Sequence, residues 1–243
     1  MATRAVCETA LDTEAMAVAL AAASKAVAAR INEGATLWCV APGLDDHARH
    51  LAVEFVHPSS VGARSVPAVA LPTVPDVALV DAVRSAARPG DVLLTLGDGD
   101  VPVVVELGAR APAWGVSHVH IGWSTGTAHL SGSTLVVELA TEPDSDRFLT
   151  RAYHLLWELT FVLLRTPTTI DREMSATPSC AVCSDGASLA EVETVIGLDC
   201  ARVRTACGSL VVDVSLVPPV QCHDLLLVHA GTALRIVLAP GSA

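Results

Sequence analysis

The sequence predicts an α/β domain built on a parallel sheet, followed by a small all-β barrel. First, strand-like apolar runs alternate with helical periods up to about residue 165. Second, the composition between residues 166 and 178 shifts to Thr, Pro, Ser and Arg, which is typical of a linker. Third, short Val-rich runs separated by turn residues, with no helical period, fill the remainder. We therefore assign residues 1–165 to the α/β domain, 166–178 to the linker and 179–243 to the barrel.

The first part of the chain alternates strands and helices as βαβ units do. Helices are predicted over residues 12–31, from an N-cap at Asp45 or Asp46 to about Val56, and over 76–87, 101–111 and 146–164. Strands are predicted over 36–40, 68–71, 91–95, 117–121 and 134–139, and in the barrel over 190–196, 202–206, 210–216, 225–228 and 233–238. Ligands of parallel sheets bind beyond the carboxyl ends of the strands, which makes residues 41–46 and 96–100 the candidate ligand loops.

Composition excludes several partners. The 243 residues are 51% apolar and carry a net charge of −11, and this negative charge disfavours nucleic acid and anionic membranes. No apolar run reaches the roughly 18–20 residues that cross a bilayer, and the charges near the N-terminus do not suit a signal peptide. We expect a cytoplasmic protein. Seven cysteines, an odd number, indicate free thiols or metal ligands, with Cys7 and Cys39 in the core.

A first candidate site combines two helices. His47, His50 and Glu54 recur at i, i+3 and i+7, so they share one stripe of a helix. His154 and Glu158 form an i, i+4 pair on the last helix of the α/β domain. Imidazole and carboxylate groups brought together from two helices suit zinc or iron. The alternative is that these residues are hydrogen-bonded polar positions beside a helix–helix contact.

The same region resembles a known family. The segments Asp46–Pro58, Arg64–Leu71 and Pro89–Leu94 are similar to the SIS-type phosphoheptose isomerases, over about residues 10–165. The resemblance implies a flavodoxin-like parallel sheet, a homo-oligomer, and zinc bound by His50 and Glu54. The further ligand would come from the pair that the spacing on the last helix predicts, His154 or Glu158. It also implies that Glu54 would be the catalytic base of a sugar isomerisation.

Both ligand loops depart from that family. Val40-Ala-Pro-Gly-Leu44 replaces a Gly- and Ser-rich phosphate cradle, and its proline removes an amide donor. The second loop places Asp98 and Asp100 where a phosphate dianion would bind. Their repulsion, several kcal/mol in a partly buried site, exceeds the roughly 1–2 kcal/mol that a helix N-terminus supplies. We therefore expect the fold without turnover of phosphosugars.

A second candidate site lies in the barrel. The segments Cys207–Val217 and Asp224–Gly231 resemble the HypC/HupF family of [NiFe]-hydrogenase maturation chaperones, over about residues 180–240. The resemblance implies an OB-like barrel in which a cysteine and a histidine transiently carry an iron centre to the hydrogenase large subunit. His229 matches the histidine, and Cys183, with Cys180 as the second choice, matches the cysteine. A soft thiolate suits low-spin iron.

Three functional hypotheses follow. The leading one is an accessory protein of [NiFe]-hydrogenase maturation that is not itself an enzyme, with the large subunit and other maturation proteins as partners. Its α/β domain would serve as a binding or dimerisation platform. The second is a zinc-dependent isomerase, and the third is a sensor in which an α/β pocket controls the barrel.

Structural zinc and redox chemistry remain alternatives for the Cys180/Cys183 pair. Cys200, Cys207 and Cys222, however, are too scattered to form the second pair that a structural zinc site needs.

Overall fold

The computed structural model describes residues 2–58, 64–72, 75–124, 134–139, 145–165 and 186–240, the side chains of residues 2–13, 77 and 145 excepted. The helices are α1 (Ala2–Asn32), α2 (Asp45–Val56), α3 (Asp76–Ala86), α4 (Pro102–Arg110) and α5 (Ser145–Arg165), with a 3-10 helix at Ala111–Trp114. The strands of the first half are β1 (Leu37–Val40), β2 (Ala68–Ala70), β3 (Val92–Asp98), β4 (Ser117–Trp123) and β5 (Leu135–Glu138). Those of the second half are β6 (Ser188–Val195), β7 (Cys200–Thr205), β8 (Gly208–Asp213), β9 (Leu225–His229) and β10 (Thr232–Leu238).

The first half is a parallel five-stranded sheet in the order β2-β1-β3-β4-β5. Helices cover both faces. Leu94 and Ile121 point to the core shared with α1, α2 and α5, whereas Leu93 points to the core shared with α3 and α4. Strands buried on both faces have the near-continuous apolar sequences from which this sheet was predicted. The predicted α/β class is confirmed. No helix in the described ranges is long and apolar enough to cross a bilayer.

Two local predictions at the carboxyl edge of the sheet are wrong. β3 does not end at Thr95 but continues to Asp98, because Gly97 pairs with Gly122 and extends the ladder to β4. A Cβ on Gly122 would lie 1.7 Å from the Gly97 carbonyl oxygen, so this approach requires glycine. The second ligand loop is therefore shorter than residues 96–100.

The start of α2 also differs from the prediction. Neither Asp45 nor Asp46 is the N-cap. Leu44 holds that position without a side-chain hydrogen bond, and both aspartates lie in the first helical turn. Their carboxylates stabilise the helix there through its dipole rather than by capping.

The second half is a closed five-stranded barrel in the order β10-β8-β7-β6-β9. β9 and β10 close it as an antiparallel hairpin, and β10 touches β8 in parallel at Thr232 and Asp213. Small and branched apolar side chains fill the interior, as the alternation along each strand requires. They are Ala190, Val192, Ala201, Val203, Val212, Val214, Leu226, Val228 and Ala233. The predicted small all-β barrel is confirmed.

The barrel packs against the amino edge of the sheet, which the sequence did not predict. Leu225 is fully buried with Trp114 in the core formed by α3 and α4, and the half-buried Leu189 and Leu238 pack against it. Arg204 of β7 donates to the carbonyl oxygens of Arg84 and Ala87 over 2.8 and 3.1 Å. The barrel thus lies at the edge opposite the candidate ligand loops. The predicted linker, 166–178, lies outside the described residues.

Candidate functional site

The first candidate site lies where α2 and α5 meet. α2 buries Ala48, Leu51 and Phe55 in the core. Its residues His47, His50 and Glu54 lie at the edge that faces α5. The indole N–H of Trp157 on α5 donates to the carbonyl oxygen of Glu54 over 2.8 Å. This contact sets the two helices side by side, so side chains from both can converge.

Three of the predicted ligands come together there. His50 Nε2 lies 3.3 Å from Glu54 Oε1, and His154 Nε2 lies 3.9 Å from the same oxygen. One ligand atom of each residue falls within 4.8 Å of the other two. His50 is exposed, and the other two are half-buried. No other group of three or more such ligands occurs in the described part of the chain.

The hydrogen bonds around these histidines suit a metal ligand. His154 Nδ1 lies 2.8 Å from the Thr150 carbonyl oxygen, which can only accept, so Nδ1 carries the proton and Nε2 the lone pair. That lone pair faces Glu54. A histidine ligand generally donates its second ring N–H to a carbonyl or carboxylate in this way. Two imidazoles and one carboxylate at a site that is exposed at His50 fit zinc, or iron(II), with open coordination positions.

His47 and Glu158 are not brought into this cluster. His47 Nδ1 lies 3.4 Å from the Tyr153 hydroxyl, and its Nε2 lies 3.9 Å from Asp146 Oδ1. Glu158 is exposed one turn beyond His154 on α5. Tyr153, which sequence reasoning missed, also contacts His50 Nδ1 at 3.3 Å. The one available signal was that it is the only tyrosine of the chain, next to a candidate ligand.

An apolar side chain, Leu44, lies at the carboxyl edge of the sheet. A Cβ on Gly97 would lie 3.0 Å from Leu44 Cδ1, so the leucine of the first loop packs against the end of β3. Asp98 Oδ1 accepts from the Asp100 amide, and Asp100 Oδ1 accepts from the Ser124 hydroxyl, each over 2.9 Å. A leucine and two carboxylates thus occupy the region where the resemblance would place a phosphate.

A buried hydrogen-bonded network of histidines and threonines lies under α4 and was not predicted from the sequence. Thr95 Oγ1 lies 2.9 Å from both His118 Nε2 and His120 Nδ1, and His118 Nδ1 lies 2.9 Å from Thr134 Oγ1. Burial lowers the pKa of His118 to about 3, with the charge of His120 adding to the effect. Burial likewise lowers the pKa of His120 to about 4 although Asp98 opposes the shift. Both rings are therefore neutral near pH 7.

The barrel histidine lies at a tight turn. His229 is the last residue of β9 and is half-buried. Ala230 and Gly231 follow with φ of 48° and 81°, and Thr232 pairs back to His229. Two consecutive positive φ values are typical of a two-residue type I′ hairpin turn. This turn favours glycine at its second position, which explains Gly231. Cys180 and Cys183, the predicted thiol ligands, lie outside the described residues.

The register of the barrel locates where the chain enters it. β6 and β9 are antiparallel, with Ser188 opposite Val228 and Glu191 opposite Leu225. One further step along this register brings Ala187, the residue before β6, opposite His229. The chain therefore reaches the barrel at the end where the histidine lies.

Solved structures share the fold of the α/β domain. A phosphoheptose isomerase from Francisella tularensis superposes with a TM-score of 0.53 at 14% identity, covering 66% of this chain and 96% of that one. A phosphoheptose isomerase from Neisseria gonorrhoeae gives a TM-score of 0.49 at 17% identity, with coverages of 68% and 98%. No protein-family profile matches the chain. No curated protein matches it either. The α/β domain thus has the SIS fold, and identities this low speak for fold alone.

Proposed function

We propose that the chain is an accessory protein of [NiFe]-hydrogenase maturation, whose barrel handles or docks the iron centre destined for the large subunit. The observation that supports it most is the register of β6 and β9, which brings the start of the barrel beside His229. The iron centre is the cargo of such a protein, held transiently by a thiolate and an imidazole. The resemblance of Asp224–Gly231 to the chaperone family supplies the identity of that cargo.

Chain length makes a thiol–histidine pair feasible. Cys183 precedes Ala187 by four residues and Cys180 precedes it by seven. An extended chain spans at most about 3.3–3.6 Å per residue, so Cys183 is tethered within roughly 14 Å of a point opposite His229. By the same limit, Cys180 is tethered within roughly 25 Å of that point. Both tethers allow a thiolate to meet the imidazole, and Cys183 has the shorter one.

The α/β domain serves this function as a platform. Its phosphate loops are replaced by Leu44 and two aspartates, and its amino edge holds the barrel through buried contacts. In the proposal, the α/β domain holds the barrel in a fixed orientation and contributes the surface for self-association. The other maturation proteins and the large subunit then approach the faces of the barrel that the α/β domain leaves uncovered.

Maturation of a hydrogenase in cells tests the proposal. We expect Cys183→Ala and His229→Ala to abolish hydrogenase activity and the recovery of the large subunit in pull-downs. Cys222→Ala is the matched control, because it removes an exposed barrel thiol bonded to the Glu193 carbonyl. Normal maturation with both the Cys183 and the His229 variants would rule the proposal out.

A zinc-dependent isomerase is the second candidate function. The cluster of His50, Glu54 and His154 favours it. Zinc bound there would polarise a substrate carbonyl as a Lewis acid. Glu54 has two carboxylate oxygens, so one can hold the metal while the other accepts a proton from the carbon next to the carbonyl. Because Asp98 and Asp100 disfavour phosphate, the substrate of this activity would be an unphosphorylated sugar.

Metal analysis and turnover test this second function separately. We expect one zinc per wild-type chain by plasma mass spectrometry and none in His50→Ala, with Glu158→Ala as a control that leaves the metal in place. Interconversion of an unphosphorylated aldose and its ketose, lost in Glu54→Gln, would support the activity. Bound zinc without any sugar turnover would support the metal site but rule out the isomerase function.

A further inference from the structure

A chain of polar contacts extends from the metal cluster to the surface. His50 Nε2 faces Glu54 Oε1 at 3.3 Å, and its Nδ1 faces the Tyr153 hydroxyl at 3.3 Å. The same hydroxyl lies 3.4 Å from His47 Nδ1, and His47 Nε2 lies 3.9 Å from Asp146 Oδ1. One phenol therefore links two imidazoles, and each ring has its second nitrogen directed at a carboxylate.

This chain has two self-consistent proton arrangements. A phenol has a single O–H, so of its two histidine contacts it donates in one and accepts in the other. The Thr150 hydroxyl, which also interacts with this phenol, donates to the Asp146 carbonyl oxygen over 2.8 Å. In the first arrangement, Tyr153 donates to His50 Nδ1 and accepts from His47 Nδ1–H, and His50 Nε2–H donates to Glu54. In the second, His50 Nδ1–H donates to Tyr153, Tyr153 donates to His47 Nδ1, and His47 Nε2–H faces Asp146.

Of these two arrangements, the second leaves a lone pair on His50 Nε2, where a metal would bind. Passing from the first to the second removes one proton from His50 Nε2 to water and adds one from water at His47 Nε2. Within the chain, the Tyr153 proton moves to His50 Nδ1 and the His47 Nδ1 proton moves to the Tyr153 oxygen. The total charge of the three residues is unchanged, so the exchange is one of tautomers.

We propose that Tyr153 and His47 are positioning residues for the metal site, which fix the tautomer of His50 so that metal binding there reverses the tautomer of His47. This inference rests on the metal site of the second candidate function and is independent of hydrogenase maturation. It also gives His47 a role other than that of a ligand. Hydrogen-bonding partners behind a metal-bound histidine orient its ring and raise its basicity in this way.

The burial of the phenol makes it a fixed link. Tyr153 is 1% exposed, and its ring makes edge contacts with both histidines, with centroids 5.8 and 5.7 Å apart. A buried ring packed between two helices cannot rotate away from one histidine without losing both contacts. Tyr153→Phe therefore removes the hydroxyl while keeping the packing, which isolates the hydrogen bonds.

Nitrogen NMR of the full chain with ¹⁵N-labelled histidine, titrated with zinc, tests this inference. In the wild type we expect His50 to become Nδ1–H and His47 to change from Nδ1–H to Nε2–H as zinc binds. In Tyr153→Phe, His50 should still respond to zinc, whereas His47 should not. His57, exposed at the end of α2, should show no change in either protein. His47→Gln and His50→Gln assign the resonances.

Zinc affinity gives a second readout. We expect the Kd for zinc to rise about 10- to 100-fold in Tyr153→Phe, the range found for partners behind metal ligands, and by less in His47→Gln. An unchanged Kd, or a His47 response to zinc that survives in Tyr153→Phe, would overturn the positioning role while leaving the metal site intact. Absence of any His50 or His154 response to zinc in the wild type would overturn the metal site and this inference together. Neither result bears on Cys183 or His229.

Discussion

Arg84 Nε donates to Glu191 Oε1 over 2.6 Å, so an ion pair joins α3 of the α/β domain to β6 of the barrel. The Glu191 carboxylate is 3% exposed, also accepts from the Trp114 indole N–H, and lies 3.4 Å from Arg110 Nη1. This barrel carboxylate therefore meets only hydrogen-bond donors on the α/β domain, which come from α3, α4 and the 3-10 helix. A buried carboxylate is stable only with partners of this kind, which makes the two domains mutually dependent at this point.

Replacement of Glu191 should destabilise the whole chain. Glu191→Gln keeps the shape of the side chain but removes the buried counter-charge that Arg84 and Arg110 share, so that each arginine keeps only the carboxylate on its own helix, Asp81 or Glu106. Breaking a buried pair from one side costs about 3–5 kcal/mol when the remaining charge has no other partner, so we expect the free energy of unfolding in urea to fall by an amount between about 1 kcal/mol and that range. Glu193→Gln, on an exposed residue of the same strand, should lower it by less than about 1 kcal/mol. Equal losses in the two variants would contradict the role of the buried pair.

The histidines under α4 should make the fold sensitive to acid. The pKa of His118 is about 3 and that of His120 about 4 in the folded protein, against 6.5 in the unfolded chain. As the pH falls below about 6.5, the unfolded chain takes up protons that the folded protein refuses, so acid favours unfolding. The free energy of unfolding should drop by about 1.4 kcal/mol per pH unit for each histidine, until the pH reaches the folded pKa.

Urea unfolding at pH 7, 6, 5 and 4 measures this slope. His118→Asn should remove about half of the histidine contribution between pH 6 and 4, whatever its effect on stability at pH 7. The exposed His57→Gln serves as the control and should keep the wild-type slope. A slope that is the same in His118→Asn as in the wild type would show that the buried ring does not exchange protons on unfolding.

Local patterns predicted most of the fold because strands buried on both faces are continuously apolar. β4 was predicted over residues 117–121 and is observed over Ser117–Trp123, a small extension at its end. The error at β3 has a clear cause: Gly97-Asp98-Gly99 carries turn residues, yet pairing with β4 keeps Gly97 and Asp98 in the strand. Turn propensity is a local signal, and in this case a tertiary contact overrides it.

The candidate metal site was predictable only within each helix. His50 and Glu54 are four residues apart, so helical geometry alone places them together. Whether His154 or Glu158 joins them depends on the register between α2 and α5, which the Trp157 bond to the Glu54 carbonyl sets. The pair of Arg84 and Glu191 is 107 residues apart in the sequence and leaves no periodic trace.

Cys39 should be inert in the native protein. Burial raises the pKa of its thiol to about 12, and the residue is 0% exposed within the core under α2. Because the thiolate is the reacting species, alkylation at pH 8 requires unfolding. We expect iodoacetamide to label the exposed Cys200 within minutes and Cys39 only in denaturant, as read by peptide mass mapping. Equal labelling rates at these two positions in native buffer would contradict the buried placement of β1.

The carboxyl edge should reject phosphate because of its two aspartates. A charge pair at 4 Å is worth roughly 1–4 kcal/mol between bulk water and a protein surface, so two carboxylates weaken phosphate binding by at least about tenfold. We expect calorimetry to detect no binding of ribose 5-phosphate to the wild type. Asp98→Asn with Asp100→Asn should bring the Kd for inorganic phosphate into a measurable range, since asparagine keeps the loop hydrogen bonds without the charge. Asp76→Asn, at the start of α3, is the control and should have no effect. Tight binding of ribose 5-phosphate to the wild type would show that Leu44 and the aspartates do not close this edge, and would bring phosphosugar turnover back among the possible activities.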